Sequence, residues 1–153
     1  MTDDLLRFEG WIKAGIEALS PSKRRHLFRN IAREVRKSNQ RRITQQESPD
    51  GTKWEPRKHP PKKHGKIQQK KKMMLGLRKA RLMRIKAQTD GASIGYEGRN
   101  ARIAAVHQFG GMDYITKEGP KMRYPVRALL GLSDQDRDAI QDIILNHLTN
   151  PME

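Results

Sequence analysis

The chain has 153 residues, with 32 Lys and Arg against 17 Asp and Glu, a formal net charge of +15 and no cysteine. That length suits one domain with extensions, spanning 1–153, and the lack of cysteine excludes a disulfide framework and a thiolate zinc site while fitting a reducing cytoplasm. No apolar stretch approaches the ~20 residues that span a bilayer, and the acidic start MTDDLLRFEGWIKAG is unlike a secretory signal, so a soluble protein without a membrane partner is expected.

Leu, Ile, Val and Phe number 30 of 153, just under the one-fifth level at which high net charge begins to favour disorder. They cluster in periodic segments, so a small folded core with mobile parts is expected, helped by self-association or a partner. Charge is uneven. Residues 20–89 hold 23 of the 32 basic and 4 of the 17 acidic residues, net +19, which leaves −4 elsewhere. Such a field attracts nucleic acid, an acidic membrane surface or an acidic protein face, or is solvated surface.

Leu5, Phe8, Ile12, Ile16 and Leu19 recur at helical spacing, with Asp3 and Asp4 near the start, and predict a first helix ending before Ser20-Pro21. Ser20 can cap and Pro21 can open a second helix, PSKRRHLFRNIAREVRKSNQRRITQQ, with Leu27, Phe28, Ile31, Val35 and Ile43 as its stripe. At ~1.5 Å per residue it would run about 39 Å, a narrow apolar stripe with a broad arginine face. Pro49 and Asp50-Gly51 then turn the chain. Residues 58–72, poor in apolar residues and rich in Lys and Pro, read as exposed or flexible.

MMLGLRKA, 73–80, reads as a short helix or the approach to a strand, with Met73 and Met74 as gap-filling hydrophobes. Met83, Ile85 and Ala87, then Ala92, Ile94 and Tyr96, alternate about Asp90-Gly91 and predict a β-hairpin. A short helix carrying Ile103 and Val106 should stop at Gly110-Gly111, and KMRYPV, 121–126, should add to the sheet. Ser133 with Asp136 suggests a capping box for a last helix with Ile140, Ile143, Ile144 and Leu148 inward. The order implies an α+β fold: a small antiparallel sheet with a hairpin, packed by N-terminal helices, one long and basic, and a C-terminal helix.

Catalysis has little support. His26, His59, His64, His107 and His147 lack metal-ligand spacing, GYEGRN lacks the ending of a phosphate loop, and no serine sits in a nucleophile elbow. Nucleic-acid binding has generic support from the basic block, but aromatics are 5% of the chain and stacking platforms are scarce. Trp54 is either a core anchor for its loop or a partner-facing hot spot. Trp11 should pack at the edge of its helix stripe.

Four ordered blocks, ALSPSKRRHLFRNIAREVRKSNQRRI, QQESPDGTKWEPRK, ARIAAVHQFG and RYPVRALLGLSDQDRDAI, together resemble the phage virion morphogenesis family, the tail completion proteins of contractile-tailed temperate bacteriophages, and its S-type members in particular. The resemblance implies a structural protein, without catalysis, cofactor or metal, that completes the head-proximal end of a tail so that a filled head can join it. It also implies a ring, six-fold in related neck proteins. The partners implied are further copies, tail tube or sheath proteins and head-completion or connector proteins, with DNA contact possible at the neck. The implied location is the tail end of the virion, after assembly in the host cytoplasm. By the family pattern, Pro49, Asp50, Gly51, Trp54, Pro56 and Arg57 form a signature loop, and His107, Gln108, Phe109 and Gly110 a second signature. Arg123, Pro125 and Leu130 to Leu132 form a third. A basic interface of Arg41, Arg42, Lys58, Lys62, Lys63, Lys70, Lys71 and Lys72 is expected to face an acidic partner or DNA. The alternative is a DNA-binding or packaging-accessory protein.

Overall fold

Helix boundaries follow from local chemistry. In the computed structural model, which describes residues 2–57, 71–114 and 119–150, helix α1 runs Thr2–Ala18 and α2 Pro21–Gln45. Ser20 caps α2: its hydroxyl accepts the Lys23 N–H at 3.3 Å, and Pro21 occupies the first turn, where its missing N–H costs nothing. At the other end Gln46 takes a left-handed conformation, φ 59°. The Gln46 and Glu47 N–H groups return to the Ile43 and Arg42 carbonyls, a Schellman closure made without glycine.

The remaining elements are a 3-10 turn at Leu75–Arg78, strands β1 Arg84–Ala87 and β2 Ala92–Gly95, helix α3 Gly98–Phe109, strands β3 Met112–Tyr114 and β4 Lys121–Arg123, and helix α4 Asp134–Thr149. The result is an α+β fold, as the alternation of periods implies. The strands form two two-stranded sheets, β1-β2 and β3-β4. KMR of the expected extended piece therefore pairs with β3, antiparallel, in the register Met112↔Arg123, Asp113↔Met122 and Tyr114↔Lys121. In the first hairpin the Gln88 N–H donates to the Gly91 carbonyl at 2.8 Å, which moves the tip one residue back, to Thr89-Asp90.

The chain divides into two compact units. The first comprises residues 1–36, 85–94 and 134–153. Within it Leu27, Ala32 and Val35 of α2 are buried, and α1 approaches α4 where Gly15 meets Leu148. A Cβ on Gly15 would lie 2.8 Å from Leu148 Cδ1, so the glycine sets that approach. None of the side chains described in α1 is fully buried, and Leu5, Leu6 and Trp11 are exposed. Beside α1 a groove of about 720 Å³ runs past Trp11, Ala14, Gly15 and Ala18. Elsewhere in this unit the Asn30 amide nitrogen lies 3.1 Å from His147 Nε2 and 3.4 Å from His26 Nε2.

The second unit comprises residues 37–84 and 95–133. Its core is Ile43, Trp54, Met73, Leu77, Met83, Ala104 and Leu129, each side chain contributing ~1.5–3 kcal/mol on burial if large. Gln46 closes this unit locally. Its amide accepts the Met73 N–H at 2.7 Å and donates to the Met73 carbonyl at 2.9 Å, so the chain returns to the end of α2. Tyr96 donates its hydroxyl to the Leu77 carbonyl at 2.8 Å, and burial pushes its ionisation well above the ordinary phenol range.

Candidate functional site

The signature loop is a closed hairpin. Its turn, Ser48 to Gly51, places Pro49 at the second position, where its fixed φ is favourable, and Gly51 at φ 87°. Asp50 accepts the Thr52 N–H at 2.9 Å, and that bond holds its carboxyl below the usual carboxylate range. Glu47 bridges Lys53 in antiparallel fashion, and the Trp54 N–H donates to the Gln46 carbonyl at 2.8 Å. Trp54 is buried as a core anchor. Its indole N–H has no hydrogen-bond partner among the described residues.

The second and third signatures lock onto this loop. At the end of α3 Gly110 caps the helix at φ 69°, where a Cβ would lie 2.8 Å from Val126 Cγ2 and 3.2 Å from the Tyr124 carbonyl oxygen. Only glycine tolerates both the conformation and the contact. The Gln108 amide accepts the Leu129 and Leu130 N–H groups at 2.8 and 3.0 Å and donates to the Leu130 carbonyl at 2.9 Å. Arg127 is buried and donates from Nε to the Glu55 carbonyl at 2.8 Å and from Nη2 to the Pro56 carbonyl at 3.3 Å. Its backbone N–H donates to the His107 carbonyl at 2.7 Å. Burial lowers the Arg127 pKa; the nearby Glu55 opposes that shift and the nearby Arg57 adds to it. His107 sits edge-on to Tyr124, ring centroids 5.1 Å apart, and burial followed by the Arg127 charge holds it below the ordinary imidazole value.

Arg42 corrects the expected basic interface. It is buried, and its guanidinium donates to the Asn39 amide oxygen, to the Gly131 carbonyl at 2.7 Å and to the Ser38 hydroxyl at 2.8 Å. The stripe of α2 explains this, because Asn39 and Arg42 follow Val35 at helical spacing and face the same side. Gly131 in turn approaches Pro49 so closely that a Cβ would lie 2.6 Å from Pro49 Cγ. Arg41, Lys71 and Lys72 are exposed, the lysines held near the end of α2 by the Gln46–Met73 clamp. Lys58, Lys62, Lys63 and Lys70, like His59 and His64, lie outside the described residues.

Of the signature side chains, Asp50 and Gln108 are spent on backbone groups within the unit, as is Arg127 beside them. Among the described residues no group of three or more His, Asp or Glu side chains could hold a metal ion. One exposed face of the unit is apolar and cationic. The outer face of the β3-β4 sheet carries Met112 and Arg123 as one pair and Tyr114 and Lys121 as the next, with Lys121 Nζ 5.2 Å from the Tyr114 ring centre. On the inner face Asp113 pairs with Arg102 at 2.8 Å. Phe109 stands exposed beside Gly110, on which Val126 packs.

Residues 3–149 match the model of the phage virion morphogenesis family. The chain belongs to that family. It is 42% identical to "Tail completion protein S" of Escherichia phage P2 over 149 residues, covering 95% of this chain and 98% of that protein. No solved structure matches it. The organisers Arg127, Asn39 and Gln46 escape sequence reasoning. Asn39 had a signal in its place on the α2 stripe and Arg127 in its isolation within VRALLGL, whereas Gln46 had none.

Proposed function

We propose that this chain is a structural component of a phage particle that completes the head-proximal end of the tail and enables head joining, acting as a ring of copies, six-fold by analogy with related neck components. The carrying observation is a scaffold: Gln108 of the second signature, together with Arg127 and Arg42 outside the signatures, binds loops together through backbone carbonyls and amides, while an apolar face with cationic neighbours is left open on β3-β4. That arrangement suits binding, not catalysis, and the likeness to a tail completion protein over nearly the whole chain supports the same reading. Its partners would be further copies, tail tube or sheath proteins and head-completion or connector proteins. It would sit at the tail end of the virion after assembly in the host cytoplasm. No helix among the described residues is long and apolar enough to cross a membrane.

DNA binding is the second reading, favoured by the exposed Arg41, Lys71 and Lys72 and by the lysine-rich sequence between 58 and 72. Phage lysates lacking the chain test the first reading. We expect filled heads and finished tails that stay separate, and joined particles once purified protein is added; joined particles at normal yield without the chain would refute it.

A further inference from the structure

We propose that the exposed β3-β4 face, together with Phe109, receives α1 from a second copy of this chain. The inference rests on the ring reading above and names the two surfaces such a ring would join. Phe109 is 78% exposed, Val126 61%, Met112 50% and Tyr114 49%. Met112 and Tyr114 lie beside Arg123 and Lys121, and Val126 packs at Gly110 next to Phe109, so the face is apolar with cationic flanks. In a chain with so few large apolar residues, leaving these four open calls for a partner.

The complementary surface is α1. Leu5 is 57% and Trp11 51% exposed, and Phe8 stacks on Trp11 with ring centres 6.4 Å apart. Asp4 shares a face with Phe8 and Trp11 at spacings of four and seven, and Glu9 follows Leu5 by four. Acids therefore flank the apolar stripe as bases flank the β3-β4 face. Between Asp3 and Glu17 the helix carries four acids and two bases, net −2 in a chain of net +15. The groove that continues from Trp11 along Ala14, Gly15 and Ala18, about 720 Å³, has room for the Phe109 ring. A nucleic acid fits less well, since among the described residues Phe109 is the single open ring of this face: Met112 and Val126 offer none and the Tyr114 ring already carries Lys121. The two surfaces differ, so the contact is head to tail and closes into a ring where its rotation allows.

Sedimentation of the full-length chain over a concentration series tests this. Trp11→Ala and Phe109→Ser should each raise the concentration needed for assembly by roughly thirtyfold, as for central interface residues, with far-UV circular dichroism unchanged. Each variant keeps one intact surface, so their equimolar mixture should give one-to-one dimers and nothing larger. Asp4→Arg and Arg123→Asp should each weaken assembly, and combining them in one chain should restore it. A wild-type ring that both apolar variants form equally well would overturn this contact and leave the ring reading standing, whereas a wild type that stays monomeric would overturn both. Variants that fail to pair on mixing, with no rescue by the double charge swap, would also overturn the contact. So would a Phe109→Ser chain that assembles normally but loses affinity for a single-stranded oligonucleotide, since the face would then belong to nucleic acid.

Discussion

At His107 a single proton separates two environments. In the folded chain the ring is enclosed beside Tyr124, its buried Nδ1 has no hydrogen-bond partner among the described residues, and the Arg127 guanidinium lies nearby. Burial first and that positive charge second disfavour the imidazolium, so the folded pKa lies below the ordinary 6.5. Between those two values the unfolded chain binds more protons than the folded one, and stability falls as pH drops. Above 6.5 the contribution is constant. We expect the urea midpoint of the wild type to fall further between pH 7.5 and pH 5.5 than that of His107→Gln, because carboxylate titration is common to both. Parallel falls in the two proteins would remove His107 as the cause.

Among the elements, α2 shows how much structure was legible in the residues and where legibility ended. Its start was readable because Ser20 and Pro21 are local signals, and its stripe because Leu27, Val35 and Ile43 recur at helical period. Arg42 was misplaced because charge suggests surface, whereas its position on that stripe aims it inward, toward the Gly131 carbonyl. The two neighbours should therefore behave oppositely. Arg42→Ala should cost about 3 kcal/mol, since it unpairs the half-buried Gly131 carbonyl and leaves the buried Asn39 amide oxygen with only the Gly131 N–H among the described residues, while exposed Arg41→Ala should stay within about 0.5 kcal/mol. Chemical denaturation of both variants checks this; equal, small losses would show that the buried network is dispensable. The sheets were only partly legible. Hairpin β1-β2 has enough alternation to announce itself, but β3 and β4 are three residues each, too short for a period of two to register. The signature residues form a set only through the expected family likeness, and nothing in their chemistry tells Gln108, which is consumed internally, from Phe109, which is left open.

For the molecule as a whole, charge follows the division into units. Residues 37–84 and 95–133 sum to +16, and the remaining residues to −1. Such a charge is expected to attract DNA at low ionic strength whatever the chain's role, because each neutralised phosphate releases counterions. Salt therefore distinguishes incidental attraction from built recognition. A contact of 6–10 phosphates loses about 10³- to 10⁵-fold in affinity between 50 and 200 mM salt, whereas a contact centred on Phe109, Trp11 and Met112 relies on apolar burial that salt does not screen. We expect duplex affinity, followed by fluorescence anisotropy, to fall at least about a thousandfold over that range. Self-association, followed by sedimentation in the same buffers, should weaken less than about tenfold, since only its charged flanks are screened. Tight DNA binding that survives 200 mM salt while the oligomer dissolves would reverse the assignment, making polyanion recognition the built function and self-association the incidental one.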